Sequence, residues 1–472
     1  MGGAAALGAG GTAPLAMAAP RPDRASGGVR FAGSSVGIGD PDYETRRESL
    51  VWQAIKPAGR PQRIYACASA SDVAAVVAEA RRQNRPVSVA AGGHSYVGNG
   101  LHDGALLVDL AAMDAVAIDA PARRAALGPA VRAFDLDARL SERGLAFPIA
   151  HNSTVGLGGY LLGGGMGWNA ESYGNLACST LRAVDVVLAS GEQVRADESR
   201  HADLLWAARG GGPLFPAIVT RFHVDVFPRP QAIRETTLVY AADAAPAVVA
   251  WLEQARAQQD PKVDLTLIFA QGDPAQGAPP GLQGVISIVC FAQDQAEAER
   301  LHAPIIAGAP PAPLFREELA PRTIADLLLA DKASMPVRHS VQTLWTNDPQ
   351  AAALRIAEAM QGAPSAGTLG YINYRARATV PPGGAYSRIG QAFVYVDTIW
   401  EEAADDAANQ AWADALIASL RPIDVGAYVN ETEYRRHPAR LRDCYSPESL
   451  ERLLAVARAY DPDGRFVRPA IV

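Results

Sequence analysis

From Arg63 onward, hydrophobic and polar positions settle into alternating strand and helix periods. The run RIYACA (63–68) reads as a strand, Ser71-Asp72 as an N-cap, and VAAVVAEARRQN (73–84) as a helix whose apolar positions recur three and four residues apart. VSVA (87–90) returns to strand, so this stretch is a β-α-β unit. Further strands are predicted at ALLVDL (105–110), AVAID (115–119) and RRAAL (123–127), with a helix around FDLDARLSERG (134–144) that ends at Gly144. LRAVDVVLASGEQV (181–194) reads as two apolar runs joined by a tight turn at Ser190-Gly191, and this α/β stretch closes near Phe227.

Residues 228 to about 425 have a different rhythm. Strands such as LTLIFAQ (265–271), VISIVCFA (285–292) and FVYVDTI (393–399) are interspersed with helices such as ALRIAEAM (353–360) and NQAWADALIASL (409–420). That pattern predicts a sheet backed by helices, a suitable cap over a ligand held by the first region. The Pro-rich segments 274–280 and 308–313 read as loops within it, and no internal repeat is present.

Composition narrows the function. A chain of 472 residues, 49% hydrophobic and 20% charged, can bury a large core in two domains. The formal net charge of −7 offers no broad cationic surface, which argues against nucleic acid and anionic membranes as partners. No stretch reaches the roughly 20 unbroken apolar residues of a membrane span. Cys67, Cys178, Cys290 and Cys444 lie too far apart for a thiolate metal site or redox pair and read as small buried apolar residues. The first twenty residues are Ala- and Gly-rich and end in the small-x-small pattern Ala16-Met17-Ala18, which suggests export or a periplasmic location; a basic n-region is missing, because the first arginine is Arg21. Within that tail, Gly8 to Ala13 fits a loose dinucleotide-binding pattern, but no strand precedes it and Pro14 blocks the helix that should follow.

Three segments carry chemistry. The first, AGGHSYVGNG (91–100), follows the strand VSVA directly, and its paired glycines let backbone N–H groups converge on an anion such as a pyrophosphate. His94 would be held against whatever the loop binds, although alone it also fits a hydrogen-bonded loop histidine. The second, Asn152–Asn169, has seven glycines in eighteen residues, with Val, Leu, Met and Trp between them, and reads as a packed loop approaching a flat ligand rather than a linker. The third, Arg209-Gly210-Gly211-Gly212, is by itself a helix C-cap. The eight histidines include no H-x-x-x-H helix and no serine occupies a G-x-S-x-G elbow, so metal and nucleophile chemistry find no motif, and no metal ligand is assigned.

In this order, β-α-β, GGHSYVGNG, STVGLGGYLLGGGMGWN, DVVLASGE and DLLWAARGGG resemble the berberine bridge enzyme-like branch of the vanillyl-alcohol oxidase (PCMH-type FAD-binding) flavoproteins. The resemblance covers roughly residues 45–472, is weakest between 230 and 370, and resumes in Tyr428-Val429-Asn430 and around Tyr445 to Phe466. It implies an α+β fold: a signal-like or disordered tail (1–28), a two-part PCMH-type FAD-binding domain (29–228), a substrate domain with a large antiparallel sheet backed by helices (229–425), and a C-terminal segment (426–472) returning to the FAD domain. FAD would lie between the halves of the first domain with its 8α-methyl bonded to His94. The resemblance places Gly92, Gly93, Ser95, Gly98, Asn99, Thr154, Val155, Gly156, Gly158, Gly159, Gly163, Gly164, Gly167, Asn169, Val219, Tyr428 and Asn430 around it. Many members carry a second link through a cysteine two residues before Thr154; here Asn152 stands there, so a single link is expected. Tyr160 replaces the usual histidine, and PLFP (213–216) the usual G-N-F-G.

The resemblance also implies a mechanism: the flavin accepts hydride at N5, while a base removes the proton from the neighbouring O–H or N–H. Family bases come from the large sheet and from the residue after Y-x-N, which here is Glu431. Burial could raise this carboxyl toward neutrality, and a solvated loop carboxylate is the plainer reading. Alternation puts Phe393, Tyr395 and Asp397 on one strand face, making Tyr395 a base or orienting hydroxyl, or simply a core tyrosine. Tyr371 and Asn373 form a similar pair, and Tyr428 is a further candidate. Val155 occupies a gatekeeper position where valine accompanies oxidase behaviour. The expectation is therefore an FAD-dependent oxidase acting on an alcohol or hemiacetal, with O2 as partner and hydrogen peroxide as product. An amine oxidase, a dehydrogenase with another acceptor, and a non-catalytic flavin binder are the alternatives.

Overall fold

A computed structural model of the chain describes residues 33–276, 278–329 and 337–471. The Ala- and Gly-rich tail, with its export signal and dinucleotide-like pattern, lies outside the described residues.

Four short strands open the structure: β1 (Ser34–Gly37), β2 (Arg63–Ala66), β3 (Val87–Ala90) and β4 (Leu106–Asp109), in the order β1-β2-β4-β3. β2 and β3 both run parallel to β4, which lies between them, so the β-α-β unit straddles a third strand. The intervening helix, Ala70–Arg82, starts earlier than the sequence suggests. Its N-cap is Ser69, whose hydroxyl accepts the Asp72 N–H, while Asp72 accepts in return from Ala68 N–H and the Ser69 hydroxyl. Ser71-Asp72 is thus inside the helix, because the reciprocal cap needs its acid three residues in. Val73, Val76, Val77 and Ala80 form the buried stripe against this sheet; each buried valine contributes about 1.5–3 kcal/mol.

Next come β5 (Val116–Asp119), β6 (Arg124–Leu127), β7 (Leu145–Ala146), β8 (Leu181–Val187), β9 (Gln193–Asp197), β10 (Ile218–Asp225) and β11 (Phe227–Pro228). Five of them form an antiparallel sheet, β5-β6-β10-β8-β9, and β7 pairs with β11. The predicted turn at Ser190-Gly191 is present, with Gly191 at φ +89°, a conformation that favours glycine.

The remaining strands are β12 (Ala232–Ala241), β13 (Val263–Gly272), β14 (Gly281–Ala292), β15 (Phe315–Arg322), β16 (Arg338–Thr346), β17 (Leu369–Tyr374), β18 (Ala392–Trp400) and β19 (Asp424–Gly426). They build one eight-stranded antiparallel sheet in the order β15-β12-β14-β13-β17-β18-β16-β19. Alternation gives the sheet two faces. Leu265, Leu267, Ile286, Ile288, Ile372, Val394 and Val396 pack into the apolar cluster beneath helices Ala245–Arg256, Pro349–Met360 and Asp406–Leu420. Glu235, Asp264, Ile268, Tyr371, Asn373, Phe393, Tyr395 and Asp397 line a cavity on the other face. β19 straddles the expected boundary at 425/426, so the C-terminal segment begins inside the sheet. It then returns to the first domain, where Val87 N–H donates to Arg465 O at 2.8 Å and Val467 N–H to Val87 O at 2.8 Å.

The four cysteines are all free and buried, as expected from their spacing. No helix among the described residues is long and apolar enough to cross a membrane.

Candidate active site

A cavity of about 720 Å³ separates the glycine-rich loops of the first domain from the open face of the large sheet. That is within the roughly 300–1,000 Å³ of small-molecule and cofactor pockets.

His94 sits on the loop wall, stacked on Trp52 at a centroid distance of 5.5 Å and an interplanar angle of 19°. Its Nε2 lies 2.8 Å from Thr154 Oγ1, and the Thr154 hydroxyl donates to Asn152 Oδ1 at 2.7 Å. With its proton spent on Asn152, the Thr154 oxygen accepts from His94 Nε2–H, and the ring's lone pair stays on Nδ1. Burial first, and the Arg132 charge second, lower the His94 pKa to about 4, so the imidazole is neutral near pH 7. Asn152, where a second linking cysteine was sought, instead anchors Thr154 through both its hydroxyl and its N–H.

The glycines divide into two groups. Gly159 lines the cavity, and a Cβ there would meet nothing within 4 Å, so it leaves room for a ligand. A Cβ on Gly163 would overlap the Asn430 side chain, so that glycine serves protein packing. Of the residues expected around a cofactor, His94, Gly92, Gly93, Ser95, Gly98, Asn99, Asn152, Val155, Gly156, Gly158, Gly159, Gly167, Val219, Tyr428 and Asn430 line the cavity. Thr154, Gly163, Gly164 and Asn169 do not. Thr154 stands behind His94, Gly164 packs against Tyr386 and Tyr428, and buried Asn169 accepts from the Ser172 hydroxyl and donates its N–H to Asp264 at 3.2 Å.

The opposite wall is acidic and aromatic. Glu431 faces the cavity, and burial, reinforced by the Asp397 charge, pushes its pKa up to about 8. The Tyr395 hydroxyl donates to Asp397 Oδ2 at 3.0 Å and lies 2.9 Å from the Tyr96 hydroxyl. Asp397 also accepts from His339 Nδ1, 3.1 Å from each carboxylate oxygen. His339 is packed against Trp52 with centroids 4.7 Å apart, its own N–H donates to Gln53 Oε1 at 3.0 Å, and its buried Nε2 lacks a hydrogen-bond partner. Tyr428, the further candidate, lines the cavity with its hydroxyl held by three N–H groups. Its hydroxyl oxygen receives Gly165 N–H at 3.1 Å, Met166 N–H at 3.4 Å and Asn430 Nδ2 at 3.0 Å.

Sequence reasoning missed Trp52, Tyr96 and His339 as site residues. Tyr96 stood two residues beyond His94 in the same motif. His339 could have been sought as a polar residue in the otherwise strand-like SVQTLW segment, but nothing local indicates that Asp397 is its neighbour.

The wall residues fit FAD. Val87, Val89, Leu110, Phe222 and Phe466 supply apolar surface for flat rings, and Gly159 leaves backbone uncovered. Ser88 presents a buried hydroxyl without a hydrogen-bond partner, and His94 is held through its Nε2.

A family model described as an FAD binding domain matches residues 61–197. Over 445 residues the chain is 28% identical to the FAD-linked oxidoreductase ptmO of Penicillium ochrochloron, spanning 90% of this chain and 94% of that protein. Over 182 residues it is 33% identical to the (R)-6-hydroxynicotine oxidase of Paenarthrobacter nicotinovorans, 39% of each chain. Among solved structures it is similar to the BBE-like 1 protein of Physcomitrella patens, with a TM-score of 0.80, 19% identity, and coverage of 94% of this chain and 97% of that one.

Proposed function

We propose that the chain is an FAD-linked oxidoreductase of the berberine bridge enzyme-like branch, and an oxidase of alcohols or hemiacetals that produces hydrogen peroxide. Bound in the cavity, FAD would supply the acceptor for a hydride lost from the carbon bearing the hydroxyl, with O2 as the final oxidant. The observation carrying this reading is Glu431, a half-buried residue whose carboxyl stands on the cavity wall with its pKa pushed up to about 8. A carboxylate of that basicity takes the hydroxyl proton as the C–H bond breaks, leaving a carbonyl. Tyr395, fixed between Tyr96 and Asp397, orients the substrate oxygen. Neutral His94, with Nε2 engaged by Thr154, presents Nδ1 for a single covalent link to the flavin. Val155 on the cavity wall supports access for O2. The tail composition supports export to the periplasm or beyond.

A secondary amine is the second reading. Asp264, Asp397 and Glu431 all face the cavity, while the guanidinium of Arg375 is tied to Glu171 at 3.2 Å, and a relative is named for oxidation of a nicotine derivative. Air-free mixing of the flavin-loaded protein with alcohols and amines, followed by admission of air, tests both. Bleaching by alcohols and stoichiometric peroxide in air is the expected outcome. Bleaching by amines alone selects the second reading; reduced flavin stable in air makes the protein a dehydrogenase. A flavin that no compound of either class bleaches would mark a binder.

A further inference from the structure

The cavity has a second polar end, remote from Glu431. β17 places Tyr371 and Asn373 on the cavity face at alternate positions, and Arg375 follows two residues later. Tyr371 pairs across strands with Tyr395, at the reacting end. At the other end, Leu265 pairs with Tyr374, which sets Asp264 of β13 beside Arg375. Four residues of extended strand separate Tyr371 from Arg375, about 13 Å at the backbone.

This far end is assembled from both walls. His151 and Trp168 reach it from the second glycine-rich loop, edge to face with ring centroids 4.5 Å apart. Trp168 Nε1 is buried without a hydrogen-bond partner. Asp264 accepts Asn169 N–H at its Oδ2, and Asn373 Nδ2 donates to Thr266 Oγ1 at 3.1 Å. Formal charge is largely cancelled here. Arg375 is ion-paired with Glu171 and hydrogen-bonded to Asn175, and burial raises the Asp264 pKa to about 7. An anion would meet the Asp264 carboxyl, and a cation would meet the guanidinium beside it. A neutral group that both donates and accepts fits the indole N–H, the carboxyl and the imidazole together.

We propose that Asp264, Trp168 and His151 form a distal subsite that binds a second hydroxyl of the substrate, so that the preferred substrate is an extended diol or polyol rather than a simple alcohol. The proposal rests on the alcohol reading above. A substrate reaching both ends would pair the otherwise unpartnered indole N–H, which is where such a site derives its discrimination.

The test is air-free titration of the flavin-loaded protein with linear primary alcohols and the matching α,ω-diols of increasing length. The readout is the perturbation of the flavin absorption band on binding, with turnover measured separately. The Kd ratio of alcohol to diol should rise to about tenfold at one intermediate length, roughly the worth of one well-made hydrogen bond to a partly charged group. Asp264→Ala should bring that ratio back toward one, and Trp168→Phe, which keeps the ring and removes only the N–H, should lower it part of the way. A ratio near one at every length, or a diol advantage that survives both substitutions, overturns the subsite. Alcohols oxidised without a diol advantage remove the subsite and leave the oxidase reading standing. A diol advantage without turnover does the reverse, and no binding by either series removes both.

Discussion

The two walls of the cavity are built on different principles. The loop wall is organised by backbone contact: Gly92 and Gly156 approach so closely that a Cβ on Gly92 would lie 2.7 Å from the Gly156 Cα, and beside them stands a histidine held by a threonine and an asparagine. The sheet wall is organised by side chains at every second position, with a polar chain from Tyr395 through Asp397 to His339 that meets Tyr96 of the loop wall. On the proposed function, one wall holds the cofactor and the other moves the proton. Substitutions on the first should therefore change how much flavin is held, and on the second how fast it is reduced.

The sharpest division is expected at Glu431. Glu431→Gln should lower the rate of flavin reduction by about 10²–10⁴-fold, the usual worth of a positioned base, with flavin content unchanged. A comparable loss of bound flavin would merge the two walls into one function. In the wild type, reduction should accelerate as pH rises toward about 8, because the carboxylate form is the base.

A smaller effect follows from His339. Its ring opposes the rise that burial imposes on Asp397, and the Asp397 charge in turn raises Glu431. His339→Leu should let Asp397 take up a proton, relieve Glu431 of an anionic neighbour and move the acid limb of the pH–rate profile to lower pH. Tyr395→Phe, which removes the hydroxyl but not the ring, should slow reduction about tenfold and, because that hydroxyl also holds the Asp397 pKa down, move the limb the same way but less far. A limb unmoved in His339→Leu would show that the polar chain does not tune the base.

Gly163→Ala probes the holding wall. Its Cβ would force Asn430 aside, at about 1–3 kcal/mol, with Tm falling by about 1 °C per kcal/mol in a chain of this length. Flavin occupancy should fall while the reduction rate per bound flavin stays the same. The smallest effect is on stability. The folded-state pKa of Glu431 lies above its unfolded value, so between about 4.5 and 8 the folded protein binds a proton that the unfolded chain has released. Stability from this group is present below the unfolded value and lost as pH rises through the folded one. Without bound flavin, Glu431→Gln should therefore gain Tm relative to wild type as pH rises from 5 to 8.

The loop wall was largely legible in the sequence because its signals are local: a strand, paired glycines and a histidine within ten residues. Even so, glycines that open onto the cavity and glycines that pack against protein look alike, which is why Gly163 and Gly164 were placed with the cofactor and Gly159 could not be distinguished from them. On the sheet wall, alternation correctly put Tyr395 and Asp397 on one face. It could not bring in His339, which is 58 residues from Asp397 and meets it through β16–β18 pairing. The fold was readable wherever one face of an element is uniformly apolar. The helix start at Ser69 was misplaced because three nearby serines and aspartates compete as caps.

The most direct measurement denatures the flavin-loaded protein in acid, passes it through a size filter and records the visible spectrum of what is retained, for wild type and His94→Ala. Yellow colour retained by the wild type and lost from the variant is the predicted result, with His94 as the single covalent anchor of the loop wall. Flavin that passes the filter from the wild type, or that stays with His94→Ala, would contradict it.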